Sequence, residues 1–534
     1  MDFTVGNPPW INIVWNESGV LGDANPLVVL RKLSASELAN LRKDALLNIL
    51  GLRESYLLEF ESTLGMQNFL NAMQNYPELQ GMHCNLYKCF LPLSWRLSNK
   101  TGIQAFVHPE GVYDDPNGGK LREFLYKRLR YHFQFQNELC LFAEVDHHAK
   151  FSLNICGPAD TTQFIHMANL YHPSTVDMSF ESKGLGDVPG IKNDENNWHI
   201  KGHSQRLLKI GQVELELFAI LYDKPGTPAV QARLPALHAN NLVNVLQKFA
   251  SYKNRLGNLE EEIFQTNMWH ETNAQQDLTI RRQTCFPQRA EQWVLSGPHF
   301  FVGNPCYKTP RSQCVKNSHY DVLDLEFLSD NYLPRTNYIP AIKADEYLTR
   351  IPVVPWDVEG REQKVVTGHY RFVNREMLSQ SGERTFISAI VPKDVGHVNT
   401  CFGIAFKEIK LLLNLYSSSL SIVVDYRVKS TGVGHANKTF LNQFPLLASG
   451  VFEIPMFIRA LSLTCLTNYY TELWEKCFDK KYNNDIWLST DQRLPHFHFK
   501  NLTSHWTRTV ALRTDSLVVK PWSNSMSLQH EHLT

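Results

Sequence analysis

The sequence predicts an α/β chain, the later half of a doubly wound sheet followed by a large region of mixed α+β text. Three observations carry this. An apolar run at residues 2–5 stops at Gly6 and two adjacent prolines. Strand and helix patterns then alternate up to residue 129. Two further apolar runs, residues 140–145 and 151–156, face each other across a polar turn at residues 146–150.

Taken in order, residues 2–5 read as a strand. Asn7-Pro8-Pro9-Trp10 ends it, because adjacent prolines fix φ and remove donors. Ser34 and Glu37 have capping-box spacing ahead of Leu38, Leu41, Ala45 and Ile49, which predicts a helical insertion after that loop. More helical text runs to Asn99. Residues 102–107 read as a strand closed by His108-Pro109-Glu110-Gly111, and Leu121, Phe124, Leu125 and Leu129 mark a helix. The two runs beyond it predict a hairpin. A domain boundary is expected at residues 157–161, giving domains 1–157 and 158–534. Residues 182–197, rich in Gly, Asp and Asn, read as an exposed loop. Leu242, Val245, Leu246, Phe249, Leu256, Leu259 and Ile263 predict one long helix, and a division of the second domain into two lobes is placed near residue 290.

The chain has 534 residues, 43% of them hydrophobic and 20% charged, which is the ordinary globular range. Lys plus Arg number 53 against 53 Asp plus Glu, so no global field draws it to a polyanion and local basic clusters must do so. The longest apolar candidate, residues 411–424, is interrupted by Asn414 and four serines. No membrane span is expected. The first residues lack a basic n-region and an apolar h-region, so the expected location is cytoplasmic. Ten cysteines without CxxC pairs fit packed thiols rather than a disulfide frame.

The sharpest chemical signal is the strand that delivers Asn7, Pro8, Pro9 and Trp10 at its carboxyl end, where open α/β sheets place ligands. The exocyclic amine of a base is a poor nucleophile, because its lone pair is delocalised into the ring. Two acceptors aimed at its hydrogens localise that pair. The Asn7 side-chain oxygen and the Pro8 carbonyl supply them, Pro9 stiffens the loop, and Trp10 offers a face for stacking an extruded base.

This motif resembles motif IV of the amino-methylating DNA methyltransferases, specifically the adenine-N6 group of type IIG-like and phage-defence methylases. Asn85-Leu86-Tyr87 with Phe90 resembles the family's helix after that loop, and residues 102–109 resemble its next strand and Pro-containing turn. Residues 141–145 and 151–155 resemble the terminal hairpin. The resemblance implies a Rossmann-like methyltransferase sheet over residues 1–157 and a DNA target-recognition domain beyond it. Residues 384–387, Val391-Pro392 and residues 397–400 resemble text of that domain. It also implies that Phe142, with Phe151 second, packs on the other face of the flipped adenine. The family's cytosine-N4 members usually carry Ser in place of Asn7, so adenine is the expected target.

The resemblance further implies S-adenosyl-L-methionine (AdoMet) as cofactor and double-stranded DNA as partner. In the family the main AdoMet pocket precedes motif IV, and here motif IV begins at Asp2. Gly432-Val433-Gly434 lacks the context to replace it. An upstream polypeptide is therefore expected to supply the pocket and to complete the sheet beside the first strand, which is otherwise an open edge. The alternative is a non-catalytic DNA-binding specificity module or an inactive remnant, and a restriction nuclease subunit is a third possibility.

Several weaker signals remain. Gly303-Asn304-Pro305-Cys306-Tyr307 imitates the motif without the elements that should follow it. Lys308, Arg311 and Lys316 beside it, with Lys429 and Lys438 further on, are candidate contacts to DNA phosphates, and Arg281, Arg282 and Arg289 are similar. Pro392 and Asp394 with Glu408 and Lys410 have only loosely the shape of a nuclease site. His83-Cys84 with Cys89, and His147-His148, lack a second properly spaced pair, so no metal is expected.

Overall fold

In the computed structural model, which describes residues 1–31, 35–82, 85–301, 308–316, 318–356, 364–379, 384–431, 433–487 and 498–513, the opening apolar run is a strand, β1 (Phe3–Gly6). A helical insertion follows the proline loop: α1 (Glu17–Ala24), α2 (Leu27–Arg31), α3 (Ala35–Asn48) and α4 (Leu52–Asn71). Leu38, Leu41 and Ala45 of α3 pack with Leu21, Val28, Leu52 and Tyr56, as their helical spacing requires. Glu17 ties this bundle together, accepting from Arg42 at 2.8 Å and from the Tyr56 hydroxyl at 2.7 Å. Ser34 lies outside the described residues, and Ile49 falls just past the end of α3.

The chain then enters α5 (Leu86–Leu97), whose N-cap Asn85 accepts from the Tyr87 amide. Next come β2 (Ile103–Pro109), α6 (Gly111–Asp114), α7 (Gly119–Tyr126), β3 (Leu129–Gln136) and β4 (Lys150–Cys156). The expected hairpin exists, but its first strand is residues 129–136 and not 140–145. Two features hid it: Leu129 starts a strand rather than ending a helix, and His132 and Gln134 are polar yet buried. Residues 140–149 form the connecting loop.

The sheet does not stop at the expected boundary. Beyond residues 157–161, β5 (Phe164–Leu170) pairs parallel with β3, and β6 (Leu208–Ile210) pairs antiparallel with β5. The six-stranded order is β1-β2-β4-β3-β5-β6. The first compact unit accordingly runs Met1–Gln247, and also holds α8 (Ser174–Glu181) and α9 (Gln212–Tyr222). A boundary at residue 157 would cut this sheet between β4 and β5. Residues 182–197 are loop, as expected.

The two faces of the sheet differ. One is apolar, with Val107, Phe133, Phe135, Phe151, Leu153 and Met167 in a single cluster. Alternate residues Gln104, His108, His132, Gln134, Ser152, Asn154 and His166 project to the other face, where all are buried.

The second unit is Lys248–Thr534. The long helix expected around residues 242–263 stops at Ser251. Leu256 and Leu259 lie in a 3₁₀ stretch, and Ile263 opens β7 (Ile263–Thr266). The remaining strands are β8 (Ile280–Cys285), β9 (Val294–Leu295), β10 (Lys308–Pro310), β11 (Tyr320–Val322), β12 (Thr336–Pro340), β13 (Arg371–Arg375), β14 (Ser388–Val391), β15 (Gly396–His397) and β16 (Cys401–Phe406). They form sheets of order β14-β13-β16-β7 and β15-β9-β12-β8 and a β10-β11 pair. A division near residue 290 would separate β8 from the rest of its own sheet. In the first of these sheets Phe372, Ile390 and Ile404 pack toward the helices Ile409–Ser419 and Glu453–Thr464, whereas Val373, Ala389 and Val391 pack into a second cluster. With both faces covered, its strands carry near-continuous apolar text and show no alternation to read.

Candidate functional site

β1 and β2 run parallel with Gly6 opposite Phe106, so Asn7-Pro8-Pro9-Trp10 emerges at the carboxyl end of the pair. Four contacts fix the loop. Trp10 Nε1 donates to the Val107 carbonyl at 3.4 Å, Leu86 N donates to the Ile11 carbonyl at 3.0 Å, Asn85 Nδ2 donates to Asn12 Oδ1 at 2.8 Å, and Gln67 Nε2 donates to the Ile13 carbonyl at 2.6 Å. The helical insertion and α5 therefore both brace the motif. Pro8 is buried, whereas Asn7 and Pro9 are exposed. Neither the Asn7 side chain nor the Pro8 carbonyl has a hydrogen-bond partner among the described residues.

Phe142 is brought to Trp10, in a different arrangement from the expected clamp. Their ring centroids are 5.5 Å apart with planes at 60°. A base held between two rings needs about 7 Å, two van der Waals separations. The pair is closed, edge against face, and Phe151 packs on both rings at 6.0 and 4.9 Å. Phe142 sits on a loop organised by the buried Asn137. The Asn137 side chain donates to the Phe142 and Val145 carbonyls at 2.8 and 2.9 Å and accepts from the Phe142 amide at 2.9 Å.

Sequence reasoning missed the polar network on the opposite face of the sheet. Glu110, following β2, accepts from Gln134 at 2.8 Å and meets His132 Nε2 at 3.2 Å, and His132 Nδ1 lies 2.8 Å from His166 Nδ1. Burial acts to raise the Glu110 pKa, but the charge and hydrogen bond of His132 and the hydrogen bonds of Ser152 and Gln134 outweigh it and hold the carboxyl below its ordinary range. Burial lowers His108 to about 4 and His166 to about 3. Asn154 Nδ2 donates to the His108 Nε2 at 2.9 Å, and the His108 Nδ1 donates to the Pro109 carbonyl at 2.9 Å, a pattern that fits the neutral ring. Burial first, and Glu110 second, raise Asp114 to about 6. The alternation of buried polar residues in β2, β3 and β4 was the available signal.

β1 is the edge of its sheet, and among the described residues no further parallel strand lies beside it to carry a Gly-containing loop or a ribose-binding acid. Phe3 and Val5 on this edge strand are 73% and 81% exposed.

In the second unit, Lys308 opens β10 and lies over the Phe301 ring at 4.6 Å. Burial, then the Arg375 charge, lowers its pKa. Arg311 pairs with Asp321 at 2.8 Å, so its charge is already engaged. Lys316 lines a cavity of about 210 Å³ together with Arg282, Asn337, Tyr320 and Glu271. Lys429 lies in the helix Ile422–Ser430, and Lys438 opens the helix Lys438–Leu441 and is exposed. Residues 303–307, His83, Cys84 and Gly432 lie outside the described residues. Asp394 and Glu408 belong to no metal-holding group of three among the described residues. No helix among those residues is long and apolar enough to cross a membrane, and no disulfide joins the described cysteines.

No family model matches the chain, and no curated protein does. Among solved structures it is similar to the type IIG restriction endonuclease BpuSI, at 10% identity and a TM-score of 0.26 over 79% of this chain and 49% of that one. It is similar to the type IIL restriction-modification enzyme MmeI in complex with DNA, at 12% identity and 0.30 over 71% and 44%. It is also similar to the protein of a DrdV–DNA complex, at 9% identity and 0.31 over 85% and 43%. The chain spans less than half the length of each of them.

Proposed function

We propose that this chain carries the catalytic loop and the recognition region of an adenine-N6 DNA methyltransferase of restriction-modification type. The observation that carries this reading is the pair of unengaged acceptors, Asn7 Oδ1 and the Pro8 carbonyl, at the carboxyl end of a parallel strand pair and beside an aromatic ring. Together they accept the two hydrogens of an exocyclic amine and localise its lone pair for attack on a methyl group. The braced loop supplies that polarity with little reorganisation. The adenine leaves the duplex to reach them, and Trp10 becomes its stacking surface once Phe142 swings aside. AdoMet is held by a second polypeptide segment that adds a strand to β1, and the exposed Phe3 and Val5 support such a partner. Lys308, Lys316, Lys429 and Lys438 contact DNA phosphates.

The test is Asn7→Ala in the complete assembly, assayed for methyl transfer and DNA binding side by side. Transfer is lost and binding kept on this account; turnover at the wild-type rate in the variant overturns it. The closed Trp10–Phe142 pair favours a second reading, a DNA-binding specificity module that keeps the loop as scaffold. Under that reading DNA is bound and neither protein transfers methyl groups.

A further inference from the structure

Glu138, His147 and His148 each offer one ligand atom, and these atoms all lie within 4.8 Å of one another. We infer that they form a binding site for a divalent transition cation of the zinc class. Adjacent histidines in a polar turn specify little by themselves. The fold adds a carboxylate that sequence spacing did not point to, because Glu138 stands ten residues before His148. The last rung of the β3–β4 ladder pairs Gln136 with Lys150. Asn137 N then donates to the Ala149 carbonyl at 3.0 Å, which places Glu138 directly across the hairpin from His148. Glu138 Oε1 lies 3.2 Å from His148 Nδ1, and the His147 ring centroid is 3.8 Å from that of His148.

Two imidazoles and a carboxylate are the ligand set of many three-residue zinc sites, with water in the remaining position. Ligand atoms on a tetrahedral ion stand about 3.3 Å apart, given bonds of about 2.0 to 2.1 Å. The Glu138–His148 separation already meets this. Rotation of the exposed His147 side chain closes the rest. The backbone is held in place beforehand. Asn137 is buried and binds the loop from inside, and His148 N donates to Asp146 Oδ1 at 2.8 Å. The ion would cross-link the mouth of the loop whose interior residue, Phe142, packs on Trp10. This gives the site a consequence, since a bound ion holds Phe142 in its closed position. The inference stands whether or not the chain transfers methyl groups.

The alternative is a plain ion pair between Glu138 and His148 that binds no metal. Titration calorimetry of the untagged chain with zinc chloride separates the two, alongside Glu138→Gln and His148→Gln and with hydrogen exchange read over residues 137–149. His148 is exposed whereas the Glu138 side chain is largely buried, so circular dichroism checks the fold of each variant. The expected result is one ion per chain, affinity reduced by about tenfold or more in each variant, and slower exchange of the loop when wild-type protein is saturated. Absence of zinc binding, equal binding by all three proteins, or binding with unchanged loop exchange would each overturn the proposal.

Discussion

At the scale of single residues, the proposed function gives Asn7 the most chemistry while the fold gives it little structural duty. It is exposed and makes no hydrogen bond to a described residue, so Asn7→Ala is expected to change stability by no more than about 0.5 kcal/mol. A thermal melt that matches the wild type, together with lost methyl transfer, separates a chemical role from a folding role. Gly202 is the contrasting case. A Cβ there would stand 2.4 Å from the Ser179 amide nitrogen and 2.5 Å from the Met178 carbonyl carbon, both backbone atoms that cannot turn aside. Gly202→Ala is expected to destabilise the first unit by about 1 to 3 kcal/mol, and a denaturant midpoint equal to that of the wild type would contradict the packing described. The sequence disclosed Asn7 through its proline neighbours, whose effect on the backbone is local. It gave no warning about Gly202, because the neighbour that forbids a side chain lies in a helix more than twenty residues away.

At the scale of elements, the loop between β3 and β4 and the buried network on the sheet carry separate predictions. Asn137→Ala leaves the Phe142 amide and the Val145 carbonyl without their partner. A cost of about 1 to 3 kcal/mol follows, and hydrogen exchange should quicken over residues 138–149 before it does in β4. The network responds to pH. His108 and His166, at about 4 and 3 in the folded chain, take up protons near 6.5 once unfolded. The unfolded state therefore binds more protons as pH falls below 6.5, and stability drops with it. Glu110 acts in the same direction, since the stability it gives is present above the unfolded carboxylate value and is lost as pH falls through its lower folded one. Asp114 runs the other way, because its raised value makes its contribution fade as pH rises through about 6. The expected net result is faster exchange in β2 to β5 between pH 6.5 and 4, and constant exchange after correction for intrinsic rates would contradict it. Helices with an apolar stripe, such as α3, were legible because burial there follows one period. Strand β3 was not, since His132 and Gln134 look like solvent-facing residues until Glu110 is seen to receive them.

At the scale of the whole molecule, the six-stranded sheet ends on an apolar edge strand, β1. Phe3 and Val5 are expected to drive self-association of the isolated chain, and Phe3→Lys with Val5→Lys should keep it monodisperse in light scattering. Association unchanged by the pair of substitutions would place the sticky surface elsewhere. The domain plan was the least legible part of the sequence. β5 joins its sheet by pairing with β3, beyond a glycine-proline turn that reads as a boundary, and the second unit buries both faces of a sheet whose strands show no period. The central claim is that the Asn7–Trp10 loop methylates an adenine amine when a second polypeptide completes the sheet. The most direct measurement is N6-methyladenine in DNA, quantified by mass spectrometry after incubation with AdoMet and the chain co-expressed with the segment encoded immediately upstream, with wild type and Asn7→Ala compared. N6-methyladenine formed by the wild-type assembly and absent with Asn7→Ala is the predicted result. Equal methylation by both proteins, or none by either in an assembly that binds AdoMet and DNA, would contradict the account.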